Sequence, residues 1–407
     1  MSDPLVFDSR YSWARLAVTL AIATIGNVGM WSVVVIMPAV QAEFDVSRAD
    51  VSLPYTLTML GFALGNLLIG RAVDRFGITW ALVGAALVTG LGYTAAAFSP
   101  SLAVLSAVHF IIGLGTAASF GPLIADISLW FHRRRGIAVA VAASGNYLSG
   151  AIWPMLLAGV LAEHGWRAVC LVLALAVSAL VVPLAVLLRP RVPDLSMAAS
   201  AAAADRARAG VGFSPRALTW MLAAAGVGCC VAMAMPQVHI VALCVDMGFG
   251  PAVGAEMLSL MLMGGVLSRL VSGMIADRLG GVRTLLIGSV LQMLALGLYL
   301  RAGDLVSLYL VSLIFGLAQG GIVPAYALIV REYMPAREAG ARVGFVIMAT
   351  ILGMALGGWM SGWIHDVTGA YQLAFVNGIV WNAFNIAVVL TILWRSLPHL
   401  RRDPAST

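Results

Sequence analysis

Apolar runs of about twenty residues alternate with short polar stretches along almost the whole chain. A helix needs roughly 20 apolar residues to cross a hydrocarbon core ~30 Å thick. The pattern predicts twelve such spans, near 16–40, 51–70, 79–98, 103–125, 136–160 and 166–189, then 217–244, 252–275, 284–300, 305–328, 343–364 and 371–394. The longest polar interruption contains "MAASAAAADRARAG" and divides the spans six and six. It predicts an N-terminal bundle over 1–189, a cytoplasmic linker over 190–216 and a C-terminal bundle over 217–407. The first apolar run is too long for a signal peptide, so the first helix is expected to stay as an anchor.

Composition agrees and narrows the class. The 407 residues are 61% hydrophobic and 10% charged, where soluble domains average about 25% charged. Little chain remains for any soluble domain. All 24 basic residues are arginine, so no step can rest on a lysine ammonium. Cys170, Cys229, Cys230 and Cys244 fall in apolar runs without disulfide or metal spacing. No metal, cofactor or catalytic constellation is expected, nor a phosphate loop that would power a pump.

The placement of charge argues against nucleic acid and sets an orientation. Twenty arginines lie in the N-terminal tail, the even-numbered loops and the C-terminal tail. Three, Arg48, Arg167 and Arg301, lie in odd loops, and Arg269 alone lies inside a span. The positive-inside rule then puts both termini and the even loops in the cytoplasm, with the plasma (bacterial inner) membrane as the expected location.

The two sets of six repeat each other. Gly70, Asp74, Arg75 and Gly77 recur as Gly273, Asp277, Arg278 and Gly280, displaced by 203. The same displacement carries Gly113-Leu114 to Gly316-Leu317 and Arg134 to Arg337. Duplicated bundles are a recurring plan for transporters, with the substrate site between the halves.

"GRAVDRFG" and "GMIADRLG" resemble the G-x-x-x-D-R-x-G loop signature of the major facilitator superfamily. "HFIIGLGTAA" is similar to its helix 4 pattern, with His109 in the arginine's place. "WFHRRRGIAVAVAASG", "GWRA" and "HDVTGAYQLAF" resemble the monocarboxylate transporter and oxalate–formate antiporter branches. The resemblance implies an all-α membrane fold of two pseudo-symmetric six-helix bundles. It further implies that Asp74, Arg75, Asp277, Arg278 and Arg134 act in a cytoplasmic gate. Monocarboxylate carriers often place a lysine in helix 1 and an aspartate one turn before the helix 8 arginine; here helix 1 has no lysine and that second position is Gly265.

Arg269 stands eight residues from Asp277, hence ~12 Å in from the edge of its helix. An arginine at a helix centre costs roughly 2.5–3.5 kcal/mol on insertion scales. Such residues face a cavity or pair with an acid, yet Glu256 lies 13 residues away and Asp126 at the end of helix 4. The counter-ion is therefore expected to arrive as an anionic substrate whose carboxylate fits the guanidinium fork. The alternatives are that Arg269 caps backbone carbonyls or reaches Asp126. The repeat puts Asn66 in the slot equivalent to Arg269, and a structural role is expected there.

Asn27, Trp31, Asn146, Tyr147 and Gln319 lie at similar depth and are candidates for the same site, or for helix–helix glue. His109 and His239 are candidates for proton coupling. The leading expectation is a monomeric secondary transporter of a small organic anion, foremost a monocarboxylate, by proton symport or anion exchange. The alternative is an exporter of multiple drugs or of neutral or amphiphilic compounds on the same fold.

Overall fold

Every predicted apolar run forms helix in the computed structural model, which describes residues 8–128, 130–131, 134–190, 214–333 and 336–396. In the first half, α1 is Arg10–Phe44, α2 Leu53–Phe76, α3 Ile78–Ala97 and α4 Leu102–Ile124. The next helical stretch, Ile137–Leu187, turns at Gly165, where φ is +78°, and so contains α5 over 135–164 and α6 over 166–187. In the second half, α7 is Pro215–Asp246, α8 Pro251–Leu279 and α9 Gly281–Tyr299. The last three are α10 Leu305–Val330, α11 Ala336–Thr368 and α12 Gln372–Ser396. Most of the expected linker, 191–213, lies outside the described residues.

Several helices outrun the apolar runs that announced them. The span expected over 16–40 is helical from Arg10 to Phe44, because polar groups cap its end: Ser9 accepts the Ser12 N–H. α1 is also broken at Asn27, between Arg10–Gly26 and Val28–Phe44. The break was not expected from hydropathy, which is continuous there.

The duplication is visible residue by residue. Ser101 caps α4 and Asp304 caps α10, each accepting the N–H three residues on. Gly77 and Gly280 leave α2 and α8 with φ of +85° and +79°, a region that glycine enters at no steric cost. Gly113 of α4 lies against the Thr58 carbonyl of α2, and Gly316 of α10 against the Met261 carbonyl of α8. All of these pairs are displaced by 203. Small residues let apolar helices approach closely where the hydrophobic effect gives no drive between them. Asn66 donates to the Phe62 carbonyl of its own helix at 2.8 Å.

The halves meet along α5 with α8 and along α2 with α11. At one end the short turn Arg48–Val51, between α1 and α2, rests on α11. The opposite end carries both described ends of the chain.

A Cβ at Gly113 or Gly316 would collide with a backbone carbonyl, whereas Gly159 has open space. Gly113→Val and Gly316→Val are each expected to cost about 1–3 kcal/mol or more. Gly159→Ala is expected to be neutral or stabilising by up to about 1 kcal/mol. Thermal unfolding of the detergent-solubilised protein checks all three.

Candidate functional site

Arg269 of α8 is buried, with 4% of its surface exposed, at the crossing of α8 with α5. Nε donates to the Gly320 carbonyl at 3.2 Å and Nη1 to the Ala143 carbonyl at 2.6 Å. The guanidinium carbon lies 4.0 Å from the centroid of the Tyr147 ring, a cation–π contact. Among the described residues no carboxylate pairs with it. The local sequence explains the acceptors. α10 breaks at Gly320–Gly321, between Leu305–Gln319 and Ile322–Tyr333. Gly320, without a side chain, lies directly on the α8 backbone at Gly265, so its carbonyl reaches the arginine.

Asp126 is not the partner of Arg269. It forms a two-oxygen pair with buried Arg15, with nitrogen–oxygen distances from 2.8 to 3.0 Å. Arg15 also donates to Tyr11 and to the Pro190 carbonyl, and its guanidinium covers Trp130 at 4.6 Å. An arginine counted in the basic N-terminal tail is thus a buried strut at the foot of the first half.

Four of the other candidates gather around Arg269. Tyr147 of α5 donates to Gln319 Oε1 at 3.2 Å, bridging the halves. Its ring fills the space that the missing side chain of Gly265 leaves. Trp31 Nε1 donates to both the backbone and the side-chain oxygen of Asn146 at 2.9 Å. The Trp31 ring meets Tyr147 edge-on, with centroids 6.5 Å apart. Gln237 of α7 completes the group, its Nε2 donating to Gln319 Oε1 at 2.8 Å. Sequence reasoning passed over Gln237, although an amide inside an apolar run is the same signal that singled out Gln319.

Asn27 stands apart. Its Nδ2 donates to Ala23 and Ser119 carbonyls at 2.8 and 2.9 Å, tying the break in α1 to the 3-10 turn of α4. His109 holds the Leu105 carbonyl through Nδ1 at 2.9 Å. His239 Nε2 faces the Gly358 carbonyl at 2.7 Å, so it carries the proton, and Nδ1 accepts from the Tyr371 hydroxyl at 3.0 Å.

The described ion pair between the halves, Arg48–Asp246, lies at the end that carries the Arg48–Val51 turn. Asp366 of α11 accepts the backbone N–H groups of Arg48 and Ala49 at 2.9 and 2.7 Å. Arg48 Nη2 pairs with Asp246 at 2.6 Å, and His365 Nε2 stands 3.3 Å from the same carboxylate. The His365 ring lies over Tyr371, the partner of His239, at 4.5 Å. This lock was not anticipated, though Arg48 is one of only three arginines in the odd loops. Of the anticipated gate, the side chains of Asp74 and Asp277 lie outside the described residues, and Arg75 and Arg278 are exposed. Arg134 turns to the N-terminal segment: its N–H donates to Asp8 at 3.2 Å and its guanidinium is 5.8 Å from Trp13.

Comparison with known proteins agrees with this architecture. The profile of the Major Facilitator Superfamily matches residues 19–300 and 221–407. Monocarboxylate transporter 13 of Bos taurus is 30% identical over 370 residues, covering 88% of this chain and 82% of the relative. Monocarboxylate transporter 11 of Mus musculus is 28% identical, covering 91% and 84%. A crystal structure of a bacterial homologue of the human lysosomal transporter Spinster, inward-facing and occupied, superposes with a TM-score of 0.72 at 13% identity, covering 98% of this chain and all of that one.

Removing Arg15 would strand the half-buried carboxylate of Asp126. Arg15→Gln is expected to cost about 3–5 kcal/mol of stability, and Asp126→Asn added to it should recover part of the loss. Thermal unfolding of the two variants in detergent reads both effects.

Proposed function

The chain belongs to the Major Facilitator Superfamily and is a membrane transporter, not an enzyme, and on that premise we propose that it carries a small organic anion, foremost a monocarboxylate. The supporting observation is Arg269: a buried cation between the halves, held by two carbonyls and a ring, with no acid beside it among the described residues. The names of the relatives point to the same class of cargo. A lone buried positive charge repels a cationic compound, which counts against the drug-exporter alternative.

The arriving carboxylate competes for N–H groups already in use. Charge-assisted hydrogen bonds are roughly twice as strong as those to a neutral carbonyl. Ala143 belongs to α5 and Arg269 to α8, so trading that carbonyl for a carboxylate releases a tie between the two halves. Cargo that binds one arrangement better shifts the balance between arrangements, as alternating access requires. The moving bodies in this reading are the bundles over 1–189 and 217–407, joined by the linker 190–216. Trp31, Asn146, Tyr147 and Gln319 line the site, and Asn27 braces it from one turn away.

Anion exchange fits the centre better than proton symport. An acid that could pass a proton is absent where the resemblance would place it, at Gly265. Of the groups a symport mode would use, His239 has both ring nitrogens engaged, by Gly358 and Tyr371, while His109 holds the Leu105 carbonyl and keeps Nε2 without a partner. An empty carrier would return with Arg269 uncompensated, whereas a loaded one returns neutral. The arginine bias of the loops places both termini in the cytoplasm. The Arg48–Asp246–Asp366 lock then closes the outer face of a monomer in the bacterial plasma membrane.

Proteoliposome uptake tests this. Uptake of a labelled monocarboxylate is expected to require an anion trapped inside and to change little with an imposed pH gradient. Arg269→Gln should lower it by about 100-fold or more. Uptake that survives this substitution would remove Arg269 from the site, and uptake driven by a pH gradient alone would restore the symport mode.

A further inference from the structure

Gln319 is wholly buried in α10, one residue before the Gly320 carbonyl that Arg269 holds. Its Oε1 accepts twice, from Tyr147 and from Gln237. Its Nε2, the donor end, is buried and has no hydrogen-bond partner. Buried amide donors are ordinarily satisfied, and one left unpaired is costly. The direction of this donor is informative. A Cβ on Gly265 would lie 3.7 Å from Gln319 Nε2. Gly265 and Arg269 are four residues apart on one face of α8, a rise of about 6 Å. The unpaired amide and the guanidinium therefore address neighbouring points on one stripe.

The geometry points to Gln319 as a specificity-determining residue: its Nε2 donates to an oxygen of the cargo other than the carboxylate bound at Arg269. The site then selects organic anions with an acceptor oxygen a few atoms from the carboxylate over plain aliphatic ones. Gln237 and Tyr147 are positioning residues, since their donors occupy Oε1 and turn the NH2 towards α8. This inference rests on the carboxylate reading of Arg269, and it adds the second point of recognition.

Two nearly isosteric pairs isolate the acceptor, because an ether oxygen accepts and cannot donate: methoxyacetate against butyrate, and 3-methoxypropionate against pentanoate. The quantity read is the ratio of kcat/KM, ether over alkyl, in proteoliposomes. Wild type is expected to favour the ether in at least one pair by roughly tenfold, the worth of one net hydrogen bond. In Gln319→Met that ratio falls to one or below, whatever happens to the total rate. Gln237→Met lowers the ratio part of the way, through KM of the ether rather than kcat. Wild-type ratios near one, or a Gln319→Met ratio equal to wild type, overturn the assignment. If a variant does not fold, the wild-type ratio and the thermal stabilisation of wild type by each member of the pair decide it. Loss of uptake in Arg269→Gln with wild-type ratios of one would overturn the role of Gln319 alone. Uptake of no carboxylate by wild type would overturn both readings.

Discussion

A guanidinium kept away from water and, among the described residues, from any acid constrains everything packed around it. Transferring such a charge from water costs several kcal/mol even after relaxation, and the surroundings must return it in pieces. The break in α10 presents the Gly320 carbonyl, α5 presents the Ala143 carbonyl, and the Tyr147 ring supplies its negative face. Tyr147 can lie there because position 265 is glycine. A carboxylate at 265 would pair the charge and displace the ring at once. The missing acid and the seated tyrosine are one decision taken at one residue.

Polar groups inside the two bundles fall into two kinds. In the second half, Asn382 and Asn385 of α12, Ser289 of α9 and Tyr326 of α10 form a closed network. Each member has a partner, as expected of polar glue between apolar helices. The central cluster is different, with an amide donor left over and a charge held only by neutral acceptors. Fully paired networks rigidify a bundle. Buried polar atoms without a partner also occur away from the centre, at Thr19, Ser106, His109 and Ser259, so the central cluster is set apart by a spare amide donor standing beside a buried charge and not by the spare donor alone.

The fold was legible because its rules are coarse. Span length, arginine placement and a constant displacement of 203 need only composition and counting, and each survives an error of a few residues. Arg269 was legible for the same reason, since one charge in an apolar run stands out. What escaped depended on where helices bend and which face they turn. Asn27 has the depth of the cluster but sits at a break in α1 and faces α4, so depth alone misplaced it. Gln237 faces the cluster, which hydropathy does not encode. The Arg48–Asp246–Asp366 lock joins residues up to 318 positions apart, and no local pattern links them. Arg15 was counted with the N-terminal tail because it lies at the edge of a span, where burial depends on the neighbouring helix and not on the run itself.

The turn Arg48–Val51 has only four residues, too few to hold a helix unaided. Its first two N–H groups are capped by Asp366, which belongs to the other half of the molecule. Ser47 caps the next N–H, that of Asp50, from within the first half. The turn is thus capped from both halves at once, and parting them at that end leaves the Arg48 and Ala49 N–H groups without their acceptor while the Ser47 cap stays.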